Sequence, residues 1–271
     1  MPANEAAHLF APATAMRVRR NQSKDTPLPP DEPVGKNPPT GALIDYWLTA
    51  DATSPIRLEI RDGGGAVIRR FASDAPAPEL PANRYFTARW VAPSQALSTT
   101  AGAHRFVWDL RAERPRVSRY EFSIAAVDGE DTPKLPEGML VPPGEYQVAL
   151  LIGDQEYVKP LRVAADPRVP IDPAALDAAL ALSREVVKAL ERHEQSAREL
   201  KEVGKSPEAV KLKAEFDSIG GALVDLQIDL EGSDRAPTQP QREVFKLEAE
   251  RLERASKAWD DMKAKGPLPG R

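Results

Sequence analysis

The chain has 271 residues, of which 41% are hydrophobic, a formal net charge of -4 and no cysteine. This length allows two modest domains, each with its own core. The weak acidity favours neither a nucleic-acid partner nor an anionic membrane surface, and the lack of cysteine excludes disulfides, thiolate metal sites and a cysteine nucleophile. We expect no membrane span and find no signal-peptide pattern, so the sequence leaves the compartment open.

Residues 1–39 are rich in proline, which favours an extended path without a core of its own, and we predict an arm or linker here. A small basic cluster in this arm contains Arg17, Arg19, Arg20 and Lys24. It is either an anion or nucleic-acid contact or a solvated cluster at a strand edge, and we prefer the solvated cluster.

Alternation of apolar and polar residues predicts an all-β domain over residues 40–166. Strands are expected over residues 42–48, 56–60, 66–71 with a bulge near Ile68, 86–91, and 105–111. Gly63–Gly65 could serve as a phosphate loop, but the next element is a strand, so a hairpin turn is the better interpretation. Residues 112–139 are predicted to form an inserted excursion.

The clearest β pattern is a hairpin within residues 141–163, which turns at Gly153-Asp154. Tyr146, Val148 and Leu150 share one face of its first strand, and the second strand continues this apolar face. We therefore expect the hairpin to lie at the centre of a buried sheet that closes a two-sheet sandwich.

Three tryptophans of the β half offer flat rings that could stack on a sugar. Trp108 shares its strand parity with Phe106 and Leu110, so packing in the core is the preferred interpretation. Trp47 and Trp90 remain as candidate ligand-binding residues.

We predict a helical domain over residues 170–266, which forms either an antiparallel three-helix bundle or a long helical hairpin. Residues 267–271 are predicted to be a tail. Helix starts are marked by Asp172-Pro173, Ser206-Pro207, and Thr238 with Gln241. In the first helix a stripe is expected from Leu176, Leu180, Val187, Leu190 and Ala197. In the second it is expected from Leu212, Phe216, Ile219, Leu223, Leu226 and Leu230. In the third it is expected from Val244, Leu247, Leu252, Ala255, Trp259 and Met262. Gly220-Gly221 either weakens the second helix or permits a close approach of another helix.

No residue pattern predicts a catalytic or metal site. His8, His104 and His193 are far apart in sequence, and the acidic and basic residues of the third helix are typical of a solvated face. Glu130-Asp131 could be a glycosidase pair, but a solvated loop is the better interpretation. We predict no catalytic residue, no metal and no cofactor.

Several segments in combination resemble the region that follows the β-propeller in sortilin-like proteins of the BNR-repeat glycosyl hydrolase family. These segments are residues 37–46, 58–62, 105–111, 142–146 and 166–168, with residues 8–12 resembling the end of the last propeller blade. The β part also resembles the immunoglobulin-like domain of flagellar hook-capping proteins.

The resemblance implies an α+β protein with separate domains, in which an all-β immunoglobulin-like sandwich is followed by the helical domain. It also implies an exported parent family and a β-propeller partner encoded upstream. The family's Ser-x-Asp-x-Gly-x-Thr-Trp repeats do not occur in this sequence, so no catalytic residue is carried over. We expect a non-catalytic accessory region that packs on or completes a β-propeller protein. The alternatives are a carbohydrate-binding module that uses Trp47 or Trp90, a fragment of a glycosyl hydrolase without an active site of its own, and hydrolysis by the chain itself.

Overall fold

The computed structural model describes residues 5–19, 33, 35, 38–77, 79–121, 126–129, 132–201 and 206–264. Its strands are β1 (Ala7–Leu9), β2 (Ala15–Arg17), β3 (Ala42–Leu48), β4 (Ile56–Arg61), β5 (Val67–Ala72), β6 (Gly102–Trp108), β7 (Arg119–Tyr120), β8 (Lys134–Leu135), β9 (Gly144–Ile152) and β10 (Gln155–Ala165). Its helices are α1 (Pro173–Lys201), α2 (Pro207–Glu231) and α3 (Gln239–Ala264), with a short 3-10 helix at Ala88–Trp90. The protein therefore belongs to the α+β class, with mixed sheets and three helices toward its C-terminal end.

The chain divides into two compact units. The first comprises Met1–Glu113, Glu121–Pro133 and Leu140–Pro170, and the second comprises Arg114–Tyr120, Lys134–Met139 and Ile171–Arg271. The predicted excursion thus contributes residues to both units, and its strands β7 and β8 pair with each other in the helical unit. Residues 122–125 of this excursion lie outside the described residues.

The first unit contains a three-stranded sheet in the order β1-β3-β6 and a five-stranded sheet in the order β2-β10-β9-β4-β5. All pairs are antiparallel except β2 with β10. Residues from both sheets, among them Ile44, Leu58 and Val148, belong to one hydrophobic core cluster. The predicted hairpin β9-β10 is confirmed, and β9 is the central strand of its sheet. A register shift opposite Ile60 and Arg61 confirms the predicted bulge near Ile68.

Two strands lie within residues 1–39, which the sequence analysis treats as an extended arm. β1 joins the three-stranded sheet and β2 joins the five-stranded sheet, although each has only three residues. The preferred solvated interpretation of the basic cluster is wrong for Arg17, which is 1% exposed and donates from Nε to the carbonyl of Val141 at 2.8 Å. A strand of three residues is too short to show a periodicity in the sequence. The sequence therefore could not predict that the side chain of Arg17 points into the core. Arg20 and Lys24 lie outside the described residues.

Two strand predictions in the first unit need correction. The strand expected over residues 86–91 contains instead a 3-10 turn, in which the N–H of Trp90 donates to the Thr87 carbonyl at 3.1 Å. The strand expected over residues 105–111 ends at Trp108, because Leu110 has a φ of 60° and leads the chain out of the sheet. Trp108 is fully buried, as its parity predicts.

The helical unit is an antiparallel three-helix bundle within the described ranges. Its helix starts are confirmed: the Asp172 carboxylate accepts from the Ala174 N–H, and the Ser206 hydroxyl oxygen accepts from the Ala209 N–H. Thr238 and Gln241 form the expected capping box. Side-chain contacts such as Ser183 with Gln227 and Arg251 with Glu215 fix the antiparallel neighbours.

The apolar seam of α2 is confirmed at all six predicted positions, whereas the stripes of α1 and α3 are only partly right. Val186 rather than Val187 is buried in α1. In α3, Leu252, Ala255 and Trp259 are buried. Val244 and Leu247, which the pattern places against the other helices, are 40% and 53% exposed. This first half of α3 therefore presents an apolar edge to solvent.

Candidate functional site

Trp47 lies on the outer face of the three-stranded sheet, one residue before the end of its middle strand. The burial of β3 alternates strictly, so Tyr46 and Leu48 enter the core while Trp47 is half-buried on the opposite side. Its cross-strand partners are His8 on β1 and Ala103 on β6. Because Ala103 is small and exposed, it leaves room beside the indole ring.

The next row of the same face contains Phe10, Asp45 and Arg105. The backbone N–H of Phe10 donates to the Asp45 carbonyl at 3.0 Å, and Asp45 pairs with Arg105 across β3 and β6. Phe10 is 37% exposed, and its ring meets the His8 ring edge to face at 4.7 Å. We call the surface formed by His8, Phe10, Asp45, Trp47 and Arg105 the aromatic face.

The polar groups of the aromatic face are held in fixed positions. Arg105 donates from Nε to Asp45 Oδ1 at 2.7 Å and from Nη2 to Asp45 Oδ2 at 2.8 Å, which is a bidentate pair. These hydrogen bonds lower the pKa of Asp45, while burial opposes them. His8 Nδ1 lies 3.0 Å from Glu5 Oε2. The carboxylate of Asp45 and the guanidinium of Arg105 therefore hold each other in a fixed orientation before any ligand binds.

Trp90, the second candidate ligand-binding residue, lies on a different element. It ends the 3-10 turn between β5 and β6, and its carbonyl accepts from the Thr132 hydroxyl at 2.6 Å. Trp90 is also half-buried. The structure thus places Trp47 on a sheet face and Trp90 in a loop.

The outer face of the five-stranded sheet has a different character. Glu59 on β4 accepts from Arg61 at 2.7 Å and from Arg70 at 3.0 Å, and Arg61 also donates to Glu156 at 2.6 Å. Burial raises the pKa of Glu59, but the hydrogen bonds from the two arginines outweigh it and the net pKa is lowered. This face is a chain of ion pairs without an aromatic platform on its strands.

A groove of about 680 Å³ lies beside β2 and the start of β3. It is lined by residues 13–16, 18–19, 39–41, 43 and 168, and we call it the N-terminal groove. Met16, which points out of β2, is 41% exposed beside it. β2 is the last strand of the five-stranded sheet, where it pairs with β10, so this groove lies at one side of that sheet.

The other histidines have structural surroundings. His104 Nε2 lies 2.6 Å from the Thr100 carbonyl, and its ring packs on Tyr46 at 5.1 Å. His193 is buried in the bundle, with Nε2 2.8 Å from the Phe216 carbonyl. Glu130-Asp131 lies outside the described residues. Within the described ranges, no three or more histidine, aspartate or glutamate side chains are grouped so that they could hold a metal ion.

A buried carboxylate in the helical unit was missed by the sequence analysis. Glu231 at the end of α2 is 6% exposed and accepts from the backbone N–H groups of Glu137 and Gly138 at 2.9 and 3.0 Å. Gln227 donates to it at 3.0 Å and is in turn bonded to Ser183 on α1. These hydrogen bonds hold residues 134–139 in the helical unit, so the role of Glu231 is structural.

Some of the charged side chains on the surface of the bundle form ion pairs. A shallow groove of about 520 Å³ is lined by Arg116 and by Glu191, Glu194, Gln195, Arg198 and Glu199 of α1. Glu199 accepts from Trp259 Nε1 and from Lys263 Nζ, both at 2.9 Å, and these hydrogen bonds lower its pKa. Arg198 pairs with Glu194 one turn away. The solvated face predicted for the third helix is wrong at Glu248, which is 4% exposed and accepts from Arg251 at 2.9 Å.

Comparison with protein-family models, with curated proteins and with solved structures gives no match for this chain. Among the helical segments that the structure describes, none is both long and apolar enough to cross a bilayer.

Proposed function

We propose that this protein is a non-catalytic accessory module that packs on a β-propeller partner through the N-terminal groove. The observation that carries the proposal is the groove itself, which is lined by Met16 with 41% of its surface exposed. Methionine is flexible and polarizable, and it is often used at surfaces that bind other proteins. Residues 8–12, which resemble the end of a propeller blade, lie immediately before this groove in the chain.

The strand arrangement supports an immunoglobulin-like sandwich as the finer description of the sheet unit. The chain passes from the three-stranded sheet at β1 to the five-stranded sheet at β2. Two sheets of three and five strands are compatible with an immunoglobulin-like sandwich. Tyr146, near the start of β9, donates its hydroxyl to the Pro142 carbonyl at 2.7 Å, as in a tyrosine corner. Trp108 packs on Tyr146 with the ring centroids 6.0 Å apart.

The test is co-expression with the β-propeller polypeptide encoded in frame with, or beside, this chain. The proposal predicts a complex of defined stoichiometry in size-exclusion chromatography. Met16→Asp should weaken binding about tenfold or more, because it places a charge against the partner in a groove that binding desolvates. Val158→Asp is a matched control, since Val158 on β10 is also 41% exposed but lies outside the lining of the groove.

The absence of a neighbouring propeller gene, or a lone chain that stays monomeric beside a folded propeller, would contradict the proposal. Equal weakening by Met16→Asp and Val158→Asp would show that the groove is not the contact. A propeller complex with hydrolytic activity lost on substitution in this chain would overturn its non-catalytic character.

A further inference from the structure

We propose that the aromatic face binds a neutral glycan, with one sugar ring stacked on Trp47 and its hydroxyl groups bonded to Asp45 and Arg105. This site lies on the outer face of the three-stranded sheet and is separate in role from the N-terminal groove. The inference goes beyond the accessory function, because it assigns the chain a ligand of its own.

The position of Trp47 carries the first step. A ring on the middle strand of a sheet has neighbours on both sides, and here one neighbour is the small exposed Ala103. Part of the ring is therefore open in a fixed orientation on a flat surface. Aliphatic C–H groups on one side of a pyranose pack well against such a ring, because the apolar sugar face meets an apolar aromatic surface.

The second step concerns the polar groups within reach of that ring. Asp45 precedes Trp47 by two residues on the same face of β3, which places it about 6.6 Å along the strand. Its bidentate pair with Arg105 leaves oxygen lone pairs and guanidinium N–H groups on the exposed side, since the two side chains are 38% and 59% exposed. Sugar hydroxyl groups both donate and accept, so they can use both members of the pair.

The third step concerns charge. The charges of Asp45 and Arg105 compensate each other, so this pair presents no net charge to an ionic ligand. The pairing also fixes these side chains before binding, and less conformational entropy is lost when a ligand docks. A neutral, polyhydroxylated ligand matches a surface of oriented rings and paired planar groups. Phe10, with its exposed edge, extends the platform toward a second sugar unit.

The experiment is isothermal titration of the whole chain with neutral hexaoses of glucose, xylose, mannose and N-acetylglucosamine, with retention on the corresponding insoluble polysaccharides as a second readout. Wild type should bind at least one of these glycans. Trp47→Ala should weaken that binding about tenfold, while Trp47→Phe retains part of it. Arg105→Ala should weaken it also, because the hydroxyl contacts are lost.

Arg162→Ala is the matched control for Arg105→Ala, because Arg162 pairs across strands with Glu145 on the other sheet and should leave binding unchanged. Circular dichroism of each variant verifies the fold, and Trp47→Phe keeps the test valid if Trp47→Ala fails to fold. The proposal is overturned if wild type binds none of the neutral glycans, if it binds only anionic polysaccharides such as heparin, or if Trp47→Phe and Arg105→Ala both bind as wild type. Loss of the propeller complex with retained glycan binding would overturn only the accessory function.

Discussion

The paired glycines of α2 give the sharpest prediction about stability, because the two positions have opposite surroundings. A Cβ atom added at Gly220 would lie 2.6 Å from Cε1 and Nε2 of His193, whereas a Cβ at Gly221 would meet nothing within 4 Å. The His193 ring is buried and bonded to the Phe216 carbonyl at 2.8 Å, so it has little freedom to move aside. Gly220 is therefore required for the close approach of α1 to α2.

The magnitudes follow from these contacts. Gly220→Ala gains about 1 kcal/mol of helix propensity, but overpacking costs about 1–3 kcal/mol and disturbance of the His193 hydrogen bond about 1 kcal/mol. The net effect is a destabilisation of about 1–3 kcal/mol. Gly221→Ala lies on the exposed side of the helix and should stabilise the protein by up to about 1 kcal/mol.

Urea unfolding followed by the helical circular dichroism signal at 222 nm measures both variants. The double variant His193→Ala with Gly220→Ala supplies the internal control, because the added methyl group no longer meets the imidazole. Adding Gly220→Ala to the His193→Ala background should be neutral or stabilising. The reasoning is refuted if Gly220→Ala alone stabilises the protein as much as Gly221→Ala.

Three further predictions concern the sheet unit. Gly41→Ala should destabilise this unit by about 3 kcal/mol or more in thermal unfolding. Gly41 has a φ of 124°, and an added Cβ would lie 1.9 Å from the Trp108 carbonyl oxygen. An unchanged melting temperature would contradict the packing described. Tyr146→Phe should cost about 1 kcal/mol in urea unfolding, because its hydroxyl bond to a backbone carbonyl four residues earlier is lost, and wild-type stability would argue against that bond. Arg168 holds the pKa of Asp166 at about 2, below its ordinary value of 3.8, through side-chain hydrogen bonds. An acid whose pKa is lowered in the folded state stabilises the protein above pH 4, and this stabilisation is lost as the pH falls toward 2. The difference in unfolding free energy between wild type and Arg168→Ala should therefore shrink over that interval. A constant difference would contradict the pairing.

Long periodic segments were predictable from the sequence because their pattern and their packing agree. The β9-β10 hairpin alternates in burial over the first half of β9 and most of β10, and the six apolar positions of α2 recur at the spacing of a helix seam. Both elements also have turn or capping residues that mark their ends. Where local signals and tertiary packing point the same way, sequence reasoning predicts the structure well.

The remaining features depend on contacts made far along the chain. β1 and β2 are too short for a periodicity and exist because β3 and β10 offer free edges to them. Val244 and Leu247 fit the helical period of α3 but lie beyond the surface that α1 and α2 cover. No sequence pattern states which apolar residues a neighbouring helix will reach.

The candidate site was predictable only in part for the same reason. Trp47 was a candidate from its residue type and uncertain parity, and the structure adds His8 and Phe10 from a segment that showed no strand pattern. Asp45 and Arg105 are 60 residues apart, and only the register of β3 with β6 brings them together. An alternating strand predicts which face a residue occupies, but not which partner lies beside it.

Amide hydrogen exchange of the chain, free and in complex with the β-propeller polypeptide, tests the proposed packing most directly. The account predicts slower exchange on complex formation in residues 13–19 and 38–43, which line or flank the N-terminal groove. Exchange in α1 and α2 should stay unchanged. Protection confined to the helices, or no protection in the groove despite a stable complex, would contradict the account.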